Sequence, residues 1–231
     1  MYAWRLYTIP RPGSINPMYI AIEGVIGVGK TSLARLLQPV FQTEIVLEIF
    51  EENPFLSDFY GDRQRYAFQT QIFFLLSRYR QQREAIPNLI AKGNLISDYT
   101  FEKDSIFANL NLKGDELETY TLVHEALAER IHKPDLIVYL RAETDTAMQR
   151  IAMRDRSYER NMDRDYIEEL NLAYEDFFSR YQGTTVLALD TTPLDFVASK
   201  EHLNFIINRI KASLGIPPYQ QELPLQNEIN A

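Results

Sequence analysis

The chain has 231 residues, enough for one large domain, and its 24 Lys and Arg against 32 Asp and Glu give a formal net charge of −8. This sign argues against a protein that binds nucleic acid over a basic surface, although it leaves room for a basic pocket. No cysteine is present, which excludes disulfides and a cysteine nucleophile and makes the cytoplasm the default compartment, and no apolar run approaches the roughly 20 residues that cross a membrane.

The two ends of the chain differ in composition from the rest. Residues 1–17 hold three prolines and two arginines without an acid, and residues 215–231 are rich in Pro and Gln. Such segments seldom belong to a packed core, so we expect an N-terminal arm and a C-terminal tail. The whole chain is then a single domain whose core covers about residues 18–214.

Between these ends, short apolar runs alternate with longer stretches of helical periodicity, which is the pattern of an α/β fold with a parallel sheet. The sequence predicts five strands, at residues 18–23, 44–47, 94–98, 135–140 and 184–189. It predicts helices at residues 30–41, 62–86, 115–131, 144–153, 163–181 and 200–214, with Pro87 ending the second. Ligands bind at the carboxyl ends of the strands in such sheets.

A phosphate-binding motif follows the first predicted strand. The run Gly24-Val-Ile-Gly27-Val-Gly29-Lys30-Thr31 matches G-x-x-x-x-G-K-[ST] in the required order of strand, loop and helix. The glycines let backbone N–H groups surround one phosphate, Lys30 would reach the β- and γ-phosphates, and the Thr31 hydroxyl would bind Mg²⁺. The motif predicts an ATP-type nucleotide and a three-layer fold of P-loop NTPase type, with helices flanking a five-stranded parallel sheet.

A phosphate loop alone does not separate kinases from GTPase switches or ATPase motors. The sequence has no N-K-x-D motif and no D-x-x-G motif directly after a predicted strand, which argues against a GTPase. A kinase that phosphorylates an alcohol needs a group that holds the hydroxyl in line with the γ-phosphate and takes its proton. Glu48, after the second predicted strand, is the candidate, and the alternative is a surface carboxylate that caps the next turn.

These features together resemble the deoxynucleoside kinase family, over about residues 18–214. Besides the phosphate loop, the resemblance rests on Glu48 with Asn53-Pro54 downstream, Tyr60, the run Tyr66-Ala-Phe-Gln-Thr-Gln71, Leu76-Ser77-Arg78, Asp98-Tyr99-Thr100 and the cluster Arg150-x-x-x-Arg154-x-Arg156. It implies an enzyme for deoxynucleoside salvage that uses ATP and Mg²⁺ to phosphorylate the 5′-hydroxyl of a deoxynucleoside, and it implies a homodimer.

The resemblance also implies roles for individual residues. Glu48 would be the general base on the 5′-hydroxyl, Tyr60 and Glu159 would bind the 3′-hydroxyl of the sugar, and Gln71, Arg78 and Asp104 would contact the base.

Helical spacing supports the base contacts independently. Gln71 and Arg78 are seven residues, or two turns, apart, so they share one helix face with Phe74. A planar amide and a planar guanidinium suit the edge of a base, and an aromatic ring offers a stacking surface. The alternative is that the apolar residues of this helix are simply core, namely Phe68, Ile72, Phe73, Leu75 and Leu76. Packing explains Gln71 less well, because a buried amide without partners is costly.

Asp98 closes the third predicted strand, and we place it among both the metal and the substrate contacts, because its carboxylate can hold Mg²⁺ waters opposite Thr31. The sequence departs from the family at the next position, where most members have an arginine and this chain has Tyr99. The role of that arginine is therefore unfilled or moved. The run Asp98-Tyr-Thr-Phe-Glu-Lys103-Asp104 resembles bacterial deoxyguanosine kinases, so deoxyguanosine is the expected acceptor.

Arg150, Arg154 and Arg156 stand at the end of one predicted helix and in the polar stretch after it. In an acidic protein this spacing is typical of a lid whose arginines close over a triphosphate and neutralise the transferring group. We expect all three to contact the nucleotide, with Arg150 and Arg154 the stronger candidates for the phosphates. The alternative is a solvated charged turn that pairs with neighbouring carboxylates.

Other functions stay open at this stage. A deoxyadenosine kinase or a kinase of broad specificity would use the same residues. A nucleoside monophosphate kinase of the thymidylate kinase type would share the sheet and the phosphate loop, but its acceptor is a phosphate and needs no Glu48. A regulatory module would bind ATP without turnover.

Overall fold

In the computed structural model, residues 17–50 and 52–216 are described, so nearly all of the expected arm and tail lies outside the described residues. The strands form an all-parallel sheet in the order β2-β3-β1-β4-β5. They are β1 Tyr19–Gly24, β2 Thr43–Val46, β3 Asn94–Ser97, β4 Leu136–Arg141 and β5 Thr185–Asp190. Each strand lies within one residue of its predicted bounds, and the predicted fold class is confirmed.

Helices cover both faces of this sheet. They are α1 Lys30–Phe41, α2 Leu56–Gly61, α3 Arg63–Arg80, α4 Ile86–Ile90, α5 Lys103–Asn111, α6 Gly114–Ala128, α7 Thr144–Arg154, α8 Arg164–Arg180 and α9 Lys200–Ser213. Helices α2 and α5, the short helices that follow β2 and β3, were not predicted from the sequence. No helix within residues 17–50 and 52–216 combines the length and apolar character that a membrane crossing requires.

The prediction that Pro87 ends the long helix is wrong. Helix α3 continues through a π-helical turn, Gln81–Ala85, into α4, and Pro87 lies at the start of that last segment. In the π-helical turn the N–H of Ile86 donates to the carbonyl oxygen of Gln81, five residues back, so the helix accommodates Pro87 directly after a widened turn. The helix therefore ends at Ile90 and not before Pro87.

The core lies on both faces of the sheet, and β1 shows this through the alternation of its side chains. Ile20 and Ile22 belong to a large apolar cluster, whereas Tyr19 and Ala21 belong to a smaller cluster. All four are buried because β1 is the central strand, covered by helices on each side. A rigid, fully covered β1 fixes the position of the phosphate loop that follows it.

Candidate active site

A cavity of about 800 Å³ opens where the strands end. Its walls include residues that follow β1, β2, β3 and β5, in agreement with the expected position of ligands. The predicted site residues that line it are Gly27, Gly29, Lys30, Thr31, Glu48, Tyr60, Gln71, Arg78, Asp98, Arg150, Arg154, Arg156 and Glu159. Gly24 and Asp104 lie next to this lining. The cavity thus collects cationic side chains in a protein of net charge −8.

The phosphate loop packs so closely against its neighbours that two of its positions exclude a side chain. A Cβ at Gly24 would lie 2.3 Å from the carbonyl oxygen of Leu140 in β4. A Cβ at Gly27 would lie 2.5 Å from the carbonyl oxygen of Ala147 in α7, and Gly27 also has a φ of +85°. Only glycine meets both demands, so a side chain at either position would displace the loop from β4 or α7.

Lys30 begins α1 and turns back over the loop. Its Nζ donates to the carbonyl oxygens of Gly24 at 2.7 Å and Val25 at 3.1 Å. Burial, reinforced by the nearby charge of Lys103, lowers the pKa of Lys30 to about 8. A partly desolvated ammonium at this place interacts strongly with any anion that enters the loop.

Asp98 joins the ends of three strands. Its Oδ2 accepts a hydrogen bond from the Thr31 hydroxyl, and its Oδ1 accepts one from the backbone N–H of Glu48 at 2.8 Å. Burial raises the pKa of Asp98. The structure thus brings Thr31 and Asp98 together, as the sequence predicts for a site that holds Mg²⁺.

The Glu48 carboxylate is held by two cations. Its Oε1 accepts a hydrogen bond from Nη2 of Arg78, and its Oε2 accepts one from Nζ of Lys103 at 2.6 Å. Burial acts to raise the pKa of Glu48, but the charges of Arg78 and Lys103 outweigh it and hold the pKa well below its usual range. Glu48 is therefore ionised and oriented inside the cavity.

The face of α3 that the sequence predicts does line the cavity. Gln71 and Arg78 are only 2% and 4% exposed, and the Arg78 guanidinium lies 4.9 Å from the centre of the Phe74 ring. Nη1 of Arg78 forms an ion pair with Asp104, which is fully buried behind it. Asp104 therefore holds Arg78 in place from outside the cavity lining, and its predicted contact with a base stays a prediction.

Tyr99 occupies the position where most members of the resembling family have an arginine. Its side chain is fully buried, packs in the smaller apolar cluster and lies 6.0 Å from the Arg78 guanidinium. Tyr99 therefore supplies no charge to the cavity. The cation that does reach Glu48 from this part of the chain is Lys103, on the unpredicted helix α5.

Tyr60 and Glu159 also line the cavity. The Tyr60 ring stacks on Tyr158 at 6.2 Å, and burial holds the pKa of Tyr60 well above its ordinary value, so its hydroxyl keeps its proton. Glu159 is 5% exposed and accepts hydrogen bonds from Nε and Nη2 of Arg154, the longer at 3.1 Å. Arg156 approaches the other oxygen of Glu159 at 3.7 Å.

The three arginines of the predicted lid line the cavity, and they have different partners. The Arg156 guanidinium lies 3.8 Å from the Phe50 ring, in the loop after β2. Arg150 donates to the carbonyl oxygens of Val28, Thr191 and Leu194 at 2.8–3.2 Å. In this conformation Arg150 joins the phosphate loop to the segment after β5, and its contact with a phosphate stays a prediction.

The family follows from the match of the chain to known sequences. Residues 20–214 match the family model described as deoxynucleoside kinase. The chain belongs to the deoxynucleoside kinase family. It is 36% identical over 198 residues to the deoxyguanosine kinase of Bacillus subtilis (strain 168), a match that covers 84% of this chain and 96% of that one.

Other deoxynucleoside kinases are similar in sequence and in structure. The deoxyadenosine kinase of Dictyostelium discoideum is 36% identical over 176 residues, which cover 73% of this chain and 71% of that one. The structure of deoxyadenosine kinase from M. mycoides with the products dCMP and a flexible dCDP matches with a TM-score of 0.75 and 31% identity, covering 84% of this chain and all of that one. The chain is thus a phosphotransferase that acts on an alcohol group, and the monophosphate kinase and regulatory alternatives are set aside.

Several residues that line the cavity were not predicted from the sequence. Lys103 and Phe50 line the cavity, as does the segment of residues 192–198 after β5. Phe50 and the segment of residues 192–198 belong to no helix or strand and carry no motif, so no pattern marked them. Lys103 was visible only as one letter in the run that follows Asp98.

Proposed function

We propose that this deoxynucleoside kinase transfers the γ-phosphate of ATP to the 5′-hydroxyl of a purine deoxynucleoside, with deoxyguanosine as the preferred acceptor. The observation that carries the choice of acceptor is the Arg78 guanidinium, which is held by Asp104 and lies beside Phe74 in the cavity. Guanine presents two adjacent acceptors, O6 and N7, on one edge. Each terminal nitrogen of a guanidinium carries two N–H groups, so Arg78 retains donors besides the one that Glu48 accepts and its ion pair with Asp104, and such a fork matches that edge.

A deoxyadenosine activity is the second candidate, and Gln71 favours it. Its amide is buried in the same cavity, and a planar amide matches the acceptor and donor that adenine presents side by side. The relatives support both bases, since the kinases of B. subtilis and D. discoideum named above share the same identity with this chain. We therefore expect deoxyadenosine as a second substrate and pyrimidines as poor ones.

In the proposed reaction, each of these side chains has a role in the transfer of the γ-phosphoryl group to the 5′-hydroxyl. Glu48, ionised and fixed by two cations, accepts the proton of the 5′-hydroxyl and holds its oxygen in line with the γ-phosphate. Lys30 and the arginines of the lid stabilise the charge on the transferring phosphoryl group. Tyr60 and Glu159 bind the 3′-hydroxyl of the sugar, which places the 5′ end of the acceptor at Glu48.

Mg²⁺ fits the donor set of Thr31 and Asp98. The described residues contain no group of three or more His, Cys, Asp or Glu side chains that could hold a metal. A hydroxyl and one carboxylate nevertheless suit this ion, which usually keeps several waters and binds through one or two carboxylates together with substrate phosphates. When bound, Mg²⁺ would neutralise phosphate charge, while Thr31 and Asp98 orient its shell.

The acceptor is tested by measuring kcat/KM with ATP for all four deoxynucleosides. Deoxyguanosine should rank first and deoxyadenosine second, and the margin over pyrimidines can reach about 10⁴ because a mismatched base leaves buried polar groups unpaired. Thymidine or deoxycytidine as the best substrate would contradict the purine proposal and leave the family assignment intact.

Two variants connect the ranking to individual side chains. Arg78→Ala should lower kcat for every acceptor, because Glu48 loses a partner, and it should cost deoxyguanosine the most. Gln71→Leu, of similar volume, should leave Glu48 untouched and cost deoxyadenosine the most. If both variants keep the parental ranking, neither side chain contacts the base.

A homodimer in the cytoplasm completes the proposal. Light scattering of the full-length protein should give about twice the chain mass of 27.0 kDa. A mass of one chain at micromolar concentration would contradict it.

A further inference from the structure

Lys103 is a buried cation that no sequence motif marks, and it is one of the two cations that hold Glu48. It opens helix α5, its side chain is only 7% exposed, and its Nζ lies 2.6 Å from Oε2 of Glu48 at the wall of the cavity. Burying an ammonium group is costly unless it is paired and hydrogen-bonded. Burial of the Lys103 ammonium therefore carries a desolvation cost, which the ion pair with Glu48 offsets.

The two oxygens of Glu48 are fixed from two different helices. Arg78 of α3 binds Oε1 and Lys103 of α5 binds Oε2, while the backbone N–H of Glu48 donates to Asp98. A carboxylate held at one oxygen can still rotate about its last torsion, which is broad for glutamate. A carboxylate held at both oxygens has one orientation.

Lys103 is itself held rigidly at the strand ends. Its backbone N–H donates to Oγ1 of Thr100 at 3.2 Å, and Thr100 donates from its N–H and its hydroxyl to the fully buried Glu23. The other oxygen of Glu23 accepts the N–H of Gly24, the first residue of the phosphate loop. The base of Lys103 and the start of the phosphate loop therefore share one buried carboxylate.

We propose that Lys103 is a positioning residue for phosphoryl transfer, which fixes the second oxygen of Glu48 and thereby aims the first at the acceptor 5′-hydroxyl. Misplacing a catalytic group by about 1 Å can cost roughly 10²-fold in rate. The contacts assigned to the base and the sugar come from other side chains, Gln71 and Tyr60 among them. Loss of Lys103 should therefore lower kcat and leave the KM for the deoxynucleoside nearly unchanged.

This inference rests on the proposed role of Glu48, so the experiment is a double-mutant cycle. Lys103→Met keeps the length and packing of the side chain without its charge, and it is measured alone and together with Glu48→Gln. Lys103→Arg restores a cation, and Lys92→Met, at an exposed lysine in the turn before β3, is the matched surface control. Thermal unfolding and binding of an ATP analogue check that each variant is folded.

Lys103→Met should lower kcat about 10- to 100-fold with less than about a threefold change in KM, and Lys103→Arg should recover most of the rate. In the Glu48→Gln background the same Lys103→Met change should have little further effect, because the group that it positions is gone. If Lys103→Met does not fold, the comparison of Lys103→Arg with Lys103→Gln, in both backgrounds, carries the same test.

Three results would overturn the proposal. Parental kcat in Lys103→Met would show that the contact does not matter for the reaction. An equal loss in the presence and absence of Glu48 would show that Lys103 acts on another group. A loss of similar size in Lys103→Arg and Lys103→Met, with a raised KM, would indicate a structural role. Glu48→Gln with near-parental activity would refute the role of Glu48 instead, and with it the basis for this inference.

Discussion

Gly27→Ala tests the packing between the phosphate loop and α7. Gly27 has a φ of +85°, where an L-residue with a Cβ costs roughly 1–2 kcal/mol. The new Cβ would also lie 2.5 Å from the carbonyl oxygen of Ala147 and 2.7 Å from Cγ1 of Ile151. The carbonyl belongs to the backbone of α7 and cannot rotate away, so the loop or the helix must shift, at the cost of about 1–3 kcal/mol that is typical of overpacking.

Gly114→Ala is the matched control. Gly114 also has a positive φ, +56°, but a Cβ there meets nothing within 4 Å. It should therefore show the backbone cost without the collision. The extra 1–3 kcal/mol in Gly27→Ala corresponds to a further loss of Tm of roughly 2–12 °C, at about 2–4 °C per kcal/mol for a protein of this size.

The shift of the phosphate loop in Gly27→Ala should also lower the affinity for ATP. If the loop of Gly27→Ala relaxes in the free enzyme, binding must restore the original geometry against the collision, so part of the about 1–3 kcal/mol lowers the affinity instead of the Tm, by at most about 150-fold. Calorimetric titration with a non-hydrolysable ATP analogue and a thermal scan of both variants measure the two effects. Equal Tm and equal nucleotide affinity for Gly27→Ala and Gly114→Ala would refute the close packing of the loop on α7.

Two further outcomes follow from charged and titratable groups. Lys30→Ala should lower kcat by about 10² to 10³, the loss typical of one electrostatic donor, while deoxynucleoside binding survives, and near-full turnover would contradict the phosphate-loop assignment. His124 stacks on Phe101 at 4.8 Å, and burial lowers its pKa below 6.5, so the fold favours the neutral ring. The contribution of the neutral ring to stability is complete above about pH 6.5 and is lost as the pH falls. Between about pH 7 and pH 5, His124→Phe should therefore lose less free energy of unfolding than the parent protein, as measured by urea titration. Equal losses in the two proteins would contradict this role of His124.

The strands and the phosphate loop were predictable because their signals are local. A strand buried on both faces is an apolar run, so β1 and β4 stand out in the sequence, and the loop needs its glycines at fixed spacing. The shared face of Gln71 and Arg78 follows from helical geometry alone. Each of these features is set by contacts within a few residues.

The helix that carries Lys103 gave no such signal. The buried residues of α5 are Lys103, Asp104, Ile106 and Ala108, so half of its inward face is charged. Hydrophobic periodicity identifies a buried face only where that face is apolar. The two charges are stable there because each meets an opposite charge from a distant segment, Glu48 for Lys103 and Arg78 for Asp104. The charged residues that α5 contributes to the cavity therefore remove the apolar pattern by which the helix could have been predicted.

The partners themselves depend on the order of the strands, which no local pattern contains. Since β3 lies between β2 and β1, Asp98 at its end meets Glu48 on one side and Thr31 on the other, residues 50 and 67 positions away in the chain. A different order of the same five strands would keep every predicted element and separate these groups. The Asp98 carboxylate, the backbone N–H of Glu48 and the Thr31 hydroxyl are therefore brought together by the topology, because β2 and β1 each lie one strand spacing, about 4.8 Å, from β3.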